Sequence, residues 1–549
     1  MTAPAPLPYG EWPSPIDAEA VAAGSRSFQQ VAIDGQDVWW VEIRPEEGGR
    51  YAVMRAGPDG AAQDATPPGF SARTLVNSYG GGSMAAAGGR LVFSNLGPAG
   101  ADQRLWRLDP GQAPVPITPA RNARYADGAI DAARGLIFCV LEDSDAPLHG
   151  QPSQRIAALD LTGAAPPIIV AEGADFYAAP RLSPDGARLC FLRWNYPSMP
   201  WDGTELCVVD LDADGRPGRA RKIAGAPAAH VDPALNPVLQ DAMRFGDEAI
   251  MTPKWAPDGS LIFVSDRTEI DGERWLNLHR WAGAEVSAIT AMAAEFAAPP
   301  WSLGGSTFGV LPDGGILCAF SQGGTWRLAR IGPDGAARVI DTPFTHIEHL
   351  HVGDGFAAFV GASFADPPAV IRHDLATGAF TALRASDAGM TDAARACFAA
   401  PEAISFGDAD ARAHGFFHAP FNPAATGPAG EKPPLLIFIH GGPTAAASSA
   451  LSLKIRYFTS RGFGVVDVNY RGSTGFGRRF HQRMYGAWGE ADLADCERAA
   501  AFLIDRGDAD PARVASRGGS SGGYTTLALA TFSDLLCCAA SYYGISDLE

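Results

Sequence analysis

The feature that most constrains the fold of this 549-residue sequence is a short pattern that recurs along its first 385 residues. Each copy is a turn, a strand of small residues, a Gly or Asp-Gly turn, and an apolar strand. The clearest copies are RLSPDGARLCFL from Arg181, KWAPDGSLIFVSDR from Lys254 and GVLPDGGILCAFS from Gly309. Turn residues between two strand-like runs are typical of β-hairpins. A recurring hairpin indicates a repeat protein built of strands.

Weaker copies bring the number to seven. They are VAIDGQDVWWVEI from Val31, AAAGGRLVFSN from Ala85, GAIDAARGLIFCVLED from Gly128 and HVGDGFAAFVGAS from His351. A second hairpin follows each copy and often ends in a hydrophobic-Asp pattern, and four strands per unit make a β-propeller blade. The sequence therefore predicts an all-β, seven-bladed propeller over residues 28–385. Residues 1–27 form an N-terminal extension, and a long insertion lies between Ala224 and Ile250.

After about Thr391 the pattern changes to apolar strands that alternate with helical stretches, which indicates a mostly parallel sheet covered by helices. We assign residues 391–549 to an α/β domain. Its predicted strands are 435–440, 465–470, 513–519 and 537–544, and its predicted helices lie near 448–461, 491–505 and 522–532. Asp492, Asp495 and Glu497 are expected on the solvent face of the second helix.

The motif RGGSSGGYTT points to a nucleophile. Gly518 to Gly522 fit G-x-S-x-G between a predicted strand and a predicted helix, as in the elbow of an α/β-hydrolase. The elbow glycines Gly518 and Gly522 allow the sharp turn that presents Ser520, and the free amides of the helix point at the reaction centre. We expect the Ser520 hydroxyl to face the cavity between the two domains.

A second motif, HGGPT, follows the first predicted strand of this domain, where a hydrolase needs an oxyanion donor. Glycine lets the backbone approach a tetrahedral intermediate closely. We predict that the amides of Gly442 and Ser521 form the oxyanion hole, with Gly441 as the alternative to Gly442. His440 is expected to brace this loop.

The chain resembles the prolyl oligopeptidase family of serine peptidases, in particular its acylaminoacyl-peptidase and dipeptidyl-peptidase-like bacterial branch. The resemblance rests on IHGGPT, VNYRGSTGFGRRF, WGEADLADC, DPARVASRGGSSGGYTT and SYYGISDLE in the α/β part, and on MPWDGTELCVVDL and RWLNLHRW in the propeller. It implies a propeller stacked over an α/β-hydrolase domain. It also implies that the cavity between them admits short peptides and excludes folded proteins.

One departure from that family concerns the catalytic triad, whose order is Ser, then Asp or Glu, then His. No histidine follows His481, and Asp547 lies directly after the sixth strand, before the family's position for the acid. We therefore expect a chain truncated at its C-terminus that lacks the triad Asp and His. The leading hypothesis is a serine peptidase whose histidine lies beyond residue 549. The alternative is a catalytically dead propeller and hydrolase remnant that acts as a binding or interaction protein.

Composition excludes several other classes of function. The net charge of −18 and the absence of a Lys/Arg-rich run argue against nucleic acid and anionic membranes as partners. The N-terminal residues have no basic and apolar runs typical of a secretory signal, and no span is apolar enough to cross a bilayer. The 8 cysteines show no CxxC pair, as expected of a cytoplasmic protein with reduced thiols. The oligomeric state stays open.

Two polar segments are candidate ligand sites. In THIEHLH, His349 and His351 share one face of a strand, but no cysteine or carboxylate set accompanies them beyond Glu348, so we expect no metal. The run YGGGS at residues 79–83 lacks the Gly-Lys-Ser/Thr ending of a phosphate loop. We therefore predict no cofactor.

Overall fold

A computed structural model describes residues 4–22, 25–97, 100–148, 150–225, 247–386, 390–408 and 411–547. Most of the predicted insertion after Ala224 lies outside these residues. Within them, no helix combines the length and apolar character needed to cross a membrane.

Seven four-stranded antiparallel sheets form the first domain, so the predicted propeller is confirmed. In chain order, their strands are Ser27–Asp34, Asp37–Arg44, Arg50–Ala56 and Ala62–Asp64 (blade 1); Met84–Ala87, Arg90–Ser94, Leu105–Leu108 and Val115–Pro116 (blade 2); Ala123–Asp131, Leu136–Leu148, Gln151–Asp160 and Ile168–Ala171 (blade 3); Phe176–Leu182, Arg188–Trp194, Glu205–Asp210 and Arg221–Ala224 (blade 4); Ile250–Trp255, Leu261–Ile270, Glu273–Trp281 and Val286–Ala288 (blade 5); Phe308–Val310, Ile316–Gln322, Thr325–Ile331 and Ala337–Ile340 (blade 6); and His346–Val352, Phe356–Ala362, Ala369–Asp374 and Phe380–Ala385 (blade 7).

The propeller core lies between the blades, because a single four-stranded blade leaves both of its apolar faces open. Phe138, Phe191 and Phe263, from blades 3, 4 and 5, are fully buried in one continuous cluster. Blade 7 closes on blade 1 through a polar contact, in which Arg384 Nε lies 2.9 Å from the fully buried carboxylate of Glu42. The ring is therefore closed by side chains rather than by a shared strand.

The second domain contains a six-stranded sheet flanked by helices, which confirms the predicted α/β class. Its strands, in order across the sheet, are Glu402–Phe406, Ala413–His418, Gly464–Asn469, Leu435–Ile439, Val514–Gly519 and Cys538–Tyr542. The last four strands are parallel and match the predicted ones. The first two are antiparallel and were not predicted. Cys538–Tyr542 is exposed at the edge.

Three helices of the α/β domain, those that begin at Leu453, Ala491 and Ser521, correspond to the predicted ones, and the others were not predicted. The described helices are Ala18–Ala22, Asp392–Arg395, Leu453–Thr459, Arg478–Gln482, Ala491–Arg506 and Ser521–Phe532, with a 3₁₀ turn at Pro45–Glu47. The expectation that Asp492 and Asp495 face solvent is wrong, since both are fully buried. Asp492 accepts a hydrogen bond from the amide of Gly489 at 2.7 Å, and Asp495 accepts one from the amide of Arg471 at 2.8 Å. The polar face of the helix Ala491–Arg506 therefore forms hydrogen bonds with loops of the α/β domain.

The first residues of the chain pack on the second domain, not on the propeller. Strand Ala5–Pro6 pairs in parallel with strand Ala425–Thr426. The hydroxyls of Ser14 and Ser460 are 2.7 Å apart, and Ile16 is buried beside the helix Asp392–Arg395. The propeller is thus bracketed in sequence by two segments of the α/β domain.

Candidate active site

Two neighbouring parallel strands bring the predicted site residues together. Ile439, the last residue of one strand, is paired with Gly518 near the end of Val514–Gly519. Because the carboxyl ends of parallel strands open at the same edge of a sheet, the loop after Ile439 meets the turn at Ser520 there. The HGGPT and GGSSG motifs therefore become neighbours although about 80 residues separate them in the sequence.

Ser520 lies between the strand Val514–Gly519 and the helix Ser521–Phe532, and its φ is +55° with ψ −123°. A non-glycine residue with positive φ carries backbone strain, which is typical of functional positions. The amide of Ser520 donates to the carbonyl of Tyr542 at 3.1 Å, which fixes the turn against the last strand. The residue is exposed, and its hydroxyl does not cap the helix.

The glycines on either side of Ser520 are required by close backbone contacts. A Cβ at Gly518 would lie 2.1 Å from the carbonyl oxygen of Gly522, and a Cβ at Gly522 would lie 2.2 Å from that of Ile439. Both distances are far inside van der Waals contact. The helix can therefore approach the strand ends only because neither residue has a side chain.

The loop that follows Ile439, residues 440–444, lies against Ser520, and we call it the glycine loop. A Cβ at Gly441 would be 3.4 Å from Cβ of Ser520, and Gly442 has a φ of +131°. Ser521, the first residue of the helix, is fully buried. These positions bring the backbone of the glycine loop and the start of the helix to the same side chain. The choice of Gly442 and Ser521 as oxyanion donors, with Gly441 as the alternative, stays a prediction.

Both ring nitrogens of His440 are hydrogen-bonded within this loop region. Nε2 lies 2.8 Å from the hydroxyl of Ser473 and Nδ1 lies 2.8 Å from the carbonyl of Gly441. The ring stacks on Tyr470 with 4.4 Å between centroids. Burial lowers the pKa of His440 to about 4, so its imidazole is neutral at pH 7. His440 braces the glycine loop.

Thr444, at the end of the HGGPT motif, is held from both domains. Its hydroxyl lies 3.1 Å from Nε2 of His481, and burial lowers the pKa of that histidine to about 4. Its carbonyl accepts a hydrogen bond of 2.6 Å from the indole N–H of Trp301 in the propeller. The sequence carries no signal for the Trp301 contact, because the two residues are 143 positions apart.

A cavity of about 1230 Å³ lies between the propeller and the α/β domain. The α/β domain contributes residues 444–448 together with Thr474 and Gly475. The propeller contributes seven aromatic side chains: Tyr79, Phe176, Trp194, Tyr196, Trp201, Trp301 and Trp326. The lining reaches the glycine loop at Thr444. The expectation that the Ser520 hydroxyl faces this cavity stays a prediction.

Buried charges join the two domains beside the cavity. The guanidinium of Arg478, on a helix of the α/β domain, is paired with the propeller carboxylate of Asp266 and donates to the carbonyl of Asp202 at 2.6 Å. Glu295 accepts a hydrogen bond from the amide of Gly477 at 2.9 Å, and burial raises the pKa of Glu295 to about 7. The helix Arg478–Gln482, which carries His481, is therefore anchored on the propeller.

The histidine cluster of blade 7 does not form a metal site among the described residues. His346 instead lies between two polar groups of the cavity wall. Its Nε2 is 3.1 Å from the carboxylate of Glu348, and its Nδ1 is 3.4 Å from the hydroxyl of Ser448 in the other domain. His349 has a φ of +54° at the bulge of this inner strand.

Comparison with known proteins identifies the family to which this chain belongs. The model of the prolyl oligopeptidase family matches residues 449–549. A solved puromycin-hydrolyzing peptidase of Mycobacterium tuberculosis is 36% identical and superimposes with a TM-score of 0.88, covering 99% of this chain and 81% of that one. The chain belongs to the prolyl oligopeptidase family.

Curated members of the prolyl oligopeptidase family match over shorter stretches. Dipeptidyl peptidase family member 6 of Caenorhabditis elegans is 38% identical over 115 residues, which are 21% of this chain and 16% of that protein. The acylamino-acid-releasing enzyme of Arabidopsis thaliana is 35% identical over 129 residues, which are 22% of this chain and 17% of that protein. The matched stretches thus span about a sixth of these curated relatives.

Proposed function

We propose that this chain is a serine-type peptidase of short peptides in which Ser520 attacks the scissile carbonyl. The observation that carries the proposal is the exposed Ser520 at a strained strand-to-helix turn, with the backbone of Gly441 directly against it. In acyl transfer the amides of Gly442 and Ser521 would hold the oxyanion of the tetrahedral intermediate. The named activity of the puromycin-hydrolyzing relative supports hydrolysis of an amide bond.

The proton of the Ser520 hydroxyl needs an acceptor, and the two histidines that flank the glycine loop are engaged elsewhere. His440 and His481 bond to Ser473 and Thr444, and their lowered pKa values near 4 make them weak bases. Loss of the base of a triad costs about a millionfold in turnover. We therefore propose that the 549-residue chain turns over substrate only very slowly unless a base is supplied.

Chemical rescue tests this proposal. Hydrolysis of Phe-p-nitroanilide and of puromycin is measured with increasing imidazole for the unchanged chain, for Ser520→Ala and for Ser533→Ala. Ser533 is the matched control, since it lies at the far end of the helix that begins after Ser520. We expect a rate that rises with imidazole in the unchanged chain and in the control, and no such rise in Ser520→Ala.

The other outcomes are informative as well. An imidazole-dependent rate that persists in Ser520→Ala would exclude Ser520 as the nucleophile. Rapid Ser520-dependent turnover without imidazole would show that an upstream group such as His440 or His481 acts as the base. Binding of peptides without hydrolysis under any condition would favour the alternative, a binding or interaction protein. The cytoplasmic location and the absence of a cofactor, a nucleic-acid partner and a membrane partner stay predictions from the sequence.

A further inference from the structure

The strongest feature outside the Ser520 site is a group of three aromatic side chains on the cavity wall. Trp301 lies 4.7 Å from Trp201 and 5.3 Å from Tyr79, measured between ring centroids, and the second pair is edge-to-face. These separations are typical of favourable aromatic pairs. Tyr79 is 68% exposed although it borders the cavity. We call Tyr79, Trp201 and Trp301 the aromatic wall.

The aromatic wall is held rigidly by two loops that lie against each other. Residue 79 begins the YGGGS run, and Gly81 forms a parallel bridge with Leu303, two residues after Trp301. A Cβ at Gly81 would lie 2.4 Å from the carbonyl oxygen of Leu303, so only glycine permits this contact. Asn77 and Ser78 also have positive φ values of 54° and 66°. Backbone strain of this kind, in the two residues that precede the exposed Tyr79, is often found near ligand-binding positions.

Trp301 also connects the aromatic wall to the glycine loop. Its indole N–H donates to the carbonyl of Thr444, two residues after Gly442. The side chain of Thr444 is held on its other side by His481. The hydrogen bond from Trp301 therefore fixes the backbone of the glycine loop from the propeller side. A ligand that packs on the Trp301 ring touches the same residue that positions this loop.

We propose that the aromatic wall is a subsite for an aromatic or large apolar side chain of the peptide substrate, and that Trp301 is a positioning residue for the glycine loop. This inference rests on the proposed function and deepens it. The three rings supply an apolar surface on which an aromatic side chain gains both burial and ring pairing. The indole N–H makes the geometry of residues 441–444 depend on a propeller side chain.

The two parts of the proposal are separated by two variants of Trp301. Trp301→Phe keeps an aromatic ring but removes the N–H donor, whereas Trp301→Leu removes both. The matched control is Trp255→Phe. The indole N–H of Trp255 also donates to a backbone carbonyl, that of Arg181 at 2.8 Å, but this hydrogen bond lies within the propeller. Arg181 lines the cavity, whereas Trp255 does not. All variants are made in the 549-residue chain that carries Ser520→Ala, so that no substrate is consumed.

Two measurements that need no turnover are made on each variant. Calorimetry compares the binding of Phe-Phe-amide with that of Ala-Ala-amide, and hydrogen–deuterium exchange follows a peptide that spans residues 441–447. Without a Trp301 change, we expect Phe-Phe-amide to bind at least about tenfold more tightly, since burial of a Phe side chain is worth that much. Trp301→Leu should reduce this preference to below about threefold. Trp301→Phe should keep the preference but accelerate exchange in residues 441–447 about tenfold, as the loss of one hydrogen bond predicts. Trp255→Phe should change neither.

An unchanged preference in Trp301→Leu would overturn the subsite, and unchanged exchange in Trp301→Phe would overturn the positioning role. A change of the same size in Trp255→Phe would overturn both, since it would reflect a general loosening of the propeller. Failure of the proposed function appears in a different assay, as hydrolysis that does not depend on Ser520. The aromatic preference and the loop exchange can therefore fail or hold independently of it.

Discussion

Replacement of Arg478 tests whether the buried charges between the domains stabilise the whole protein. The side chains of Arg478 and Asp266 are only 7% and 4% exposed. In Arg478→Met the length is kept, but the pair with Asp266 and the hydrogen bond to the carbonyl of Asp202 are lost. Removal of one partner of a buried pair costs about 3–5 kcal/mol, because the other charge is left unpaired.

The expected cost is at the lower end of that range. Asp266 keeps a second partner, Arg274, whose Nη2 lies 2.9 Å from the carboxylate. We therefore expect Arg478→Met to lower the free energy of unfolding by about 3 kcal/mol, measured by urea denaturation with far-ultraviolet circular dichroism and tryptophan fluorescence. Because the lost contact joins two domains, the two signals should also separate into distinct transitions.

Two further variants test the role of the Arg478–Asp266 pair. Arg274→Met removes a partner of the same carboxylate within the propeller and should leave a single transition. The double variant Arg478→Met with Asp266→Asn removes both charges, so it should recover part of the loss. A loss below about 1 kcal/mol in Arg478→Met, or strictly additive losses in the double variant, would show that the interface does not depend on this pair.

Three other perturbations have expected outcomes. Gly522→Ala places a Cβ 2.2 Å from the carbonyl oxygen of Ile439, so it should destabilise the α/β domain by several kcal/mol or prevent its folding, as thermal denaturation would reveal; near-normal stability would contradict the contact. The pKa of His440 is about 4 in the folded chain and near 6.5 in the unfolded chain, so the unfolded state binds more protons between these values. Stability should therefore fall as the pH drops from 6.5 to 4, and His440→Phe should reduce this dependence in acid titrations while leaving the part that His481 contributes. Cys537 and Cys538 are the exposed pair among 8 free cysteines, so a thiol reagent should label 2 thiols rapidly and the other 6 only on unfolding. Fast labelling of more than 2 would contradict the burial pattern.

The propeller could be predicted from the sequence because its information is local and repeated. Each Pro-Asp-Gly turn indicates a hairpin by itself, and seven weak signals support one another. The parallel strands could be predicted equally well, since 435–440 and 513–519 are apolar runs followed by glycine motifs. The antiparallel strands Glu402–Phe406 and Ala413–His418 were missed because each has only three apolar residues, which polar residues or glycine interrupt.

Contacts between distant polar residues could not be predicted in this way. Helical periodicity assigned Asp492 to solvent because it reports which face is polar, not what covers that face. In the folded chain a turn at Gly489 and the hydroxyl of Thr525 cover it. The hydrogen bond from Trp301 to Thr444 likewise depends on how two domains dock. Neither partner carries a local pattern that reveals the other.

The pairing of strand Ala5–Pro6 with strand Ala425–Thr426 has a consequence for biosynthesis. A ribosome adds about 5–20 residues per second, so the 420 residues that separate Ala5 from Ala425 take roughly 20–80 s to make. During that interval all seven blades can emerge and fold, whereas the first strand has no partner. The first strand therefore stays unpaired until residues 425–426 have been synthesised, and it is available to chaperones for the whole of that time.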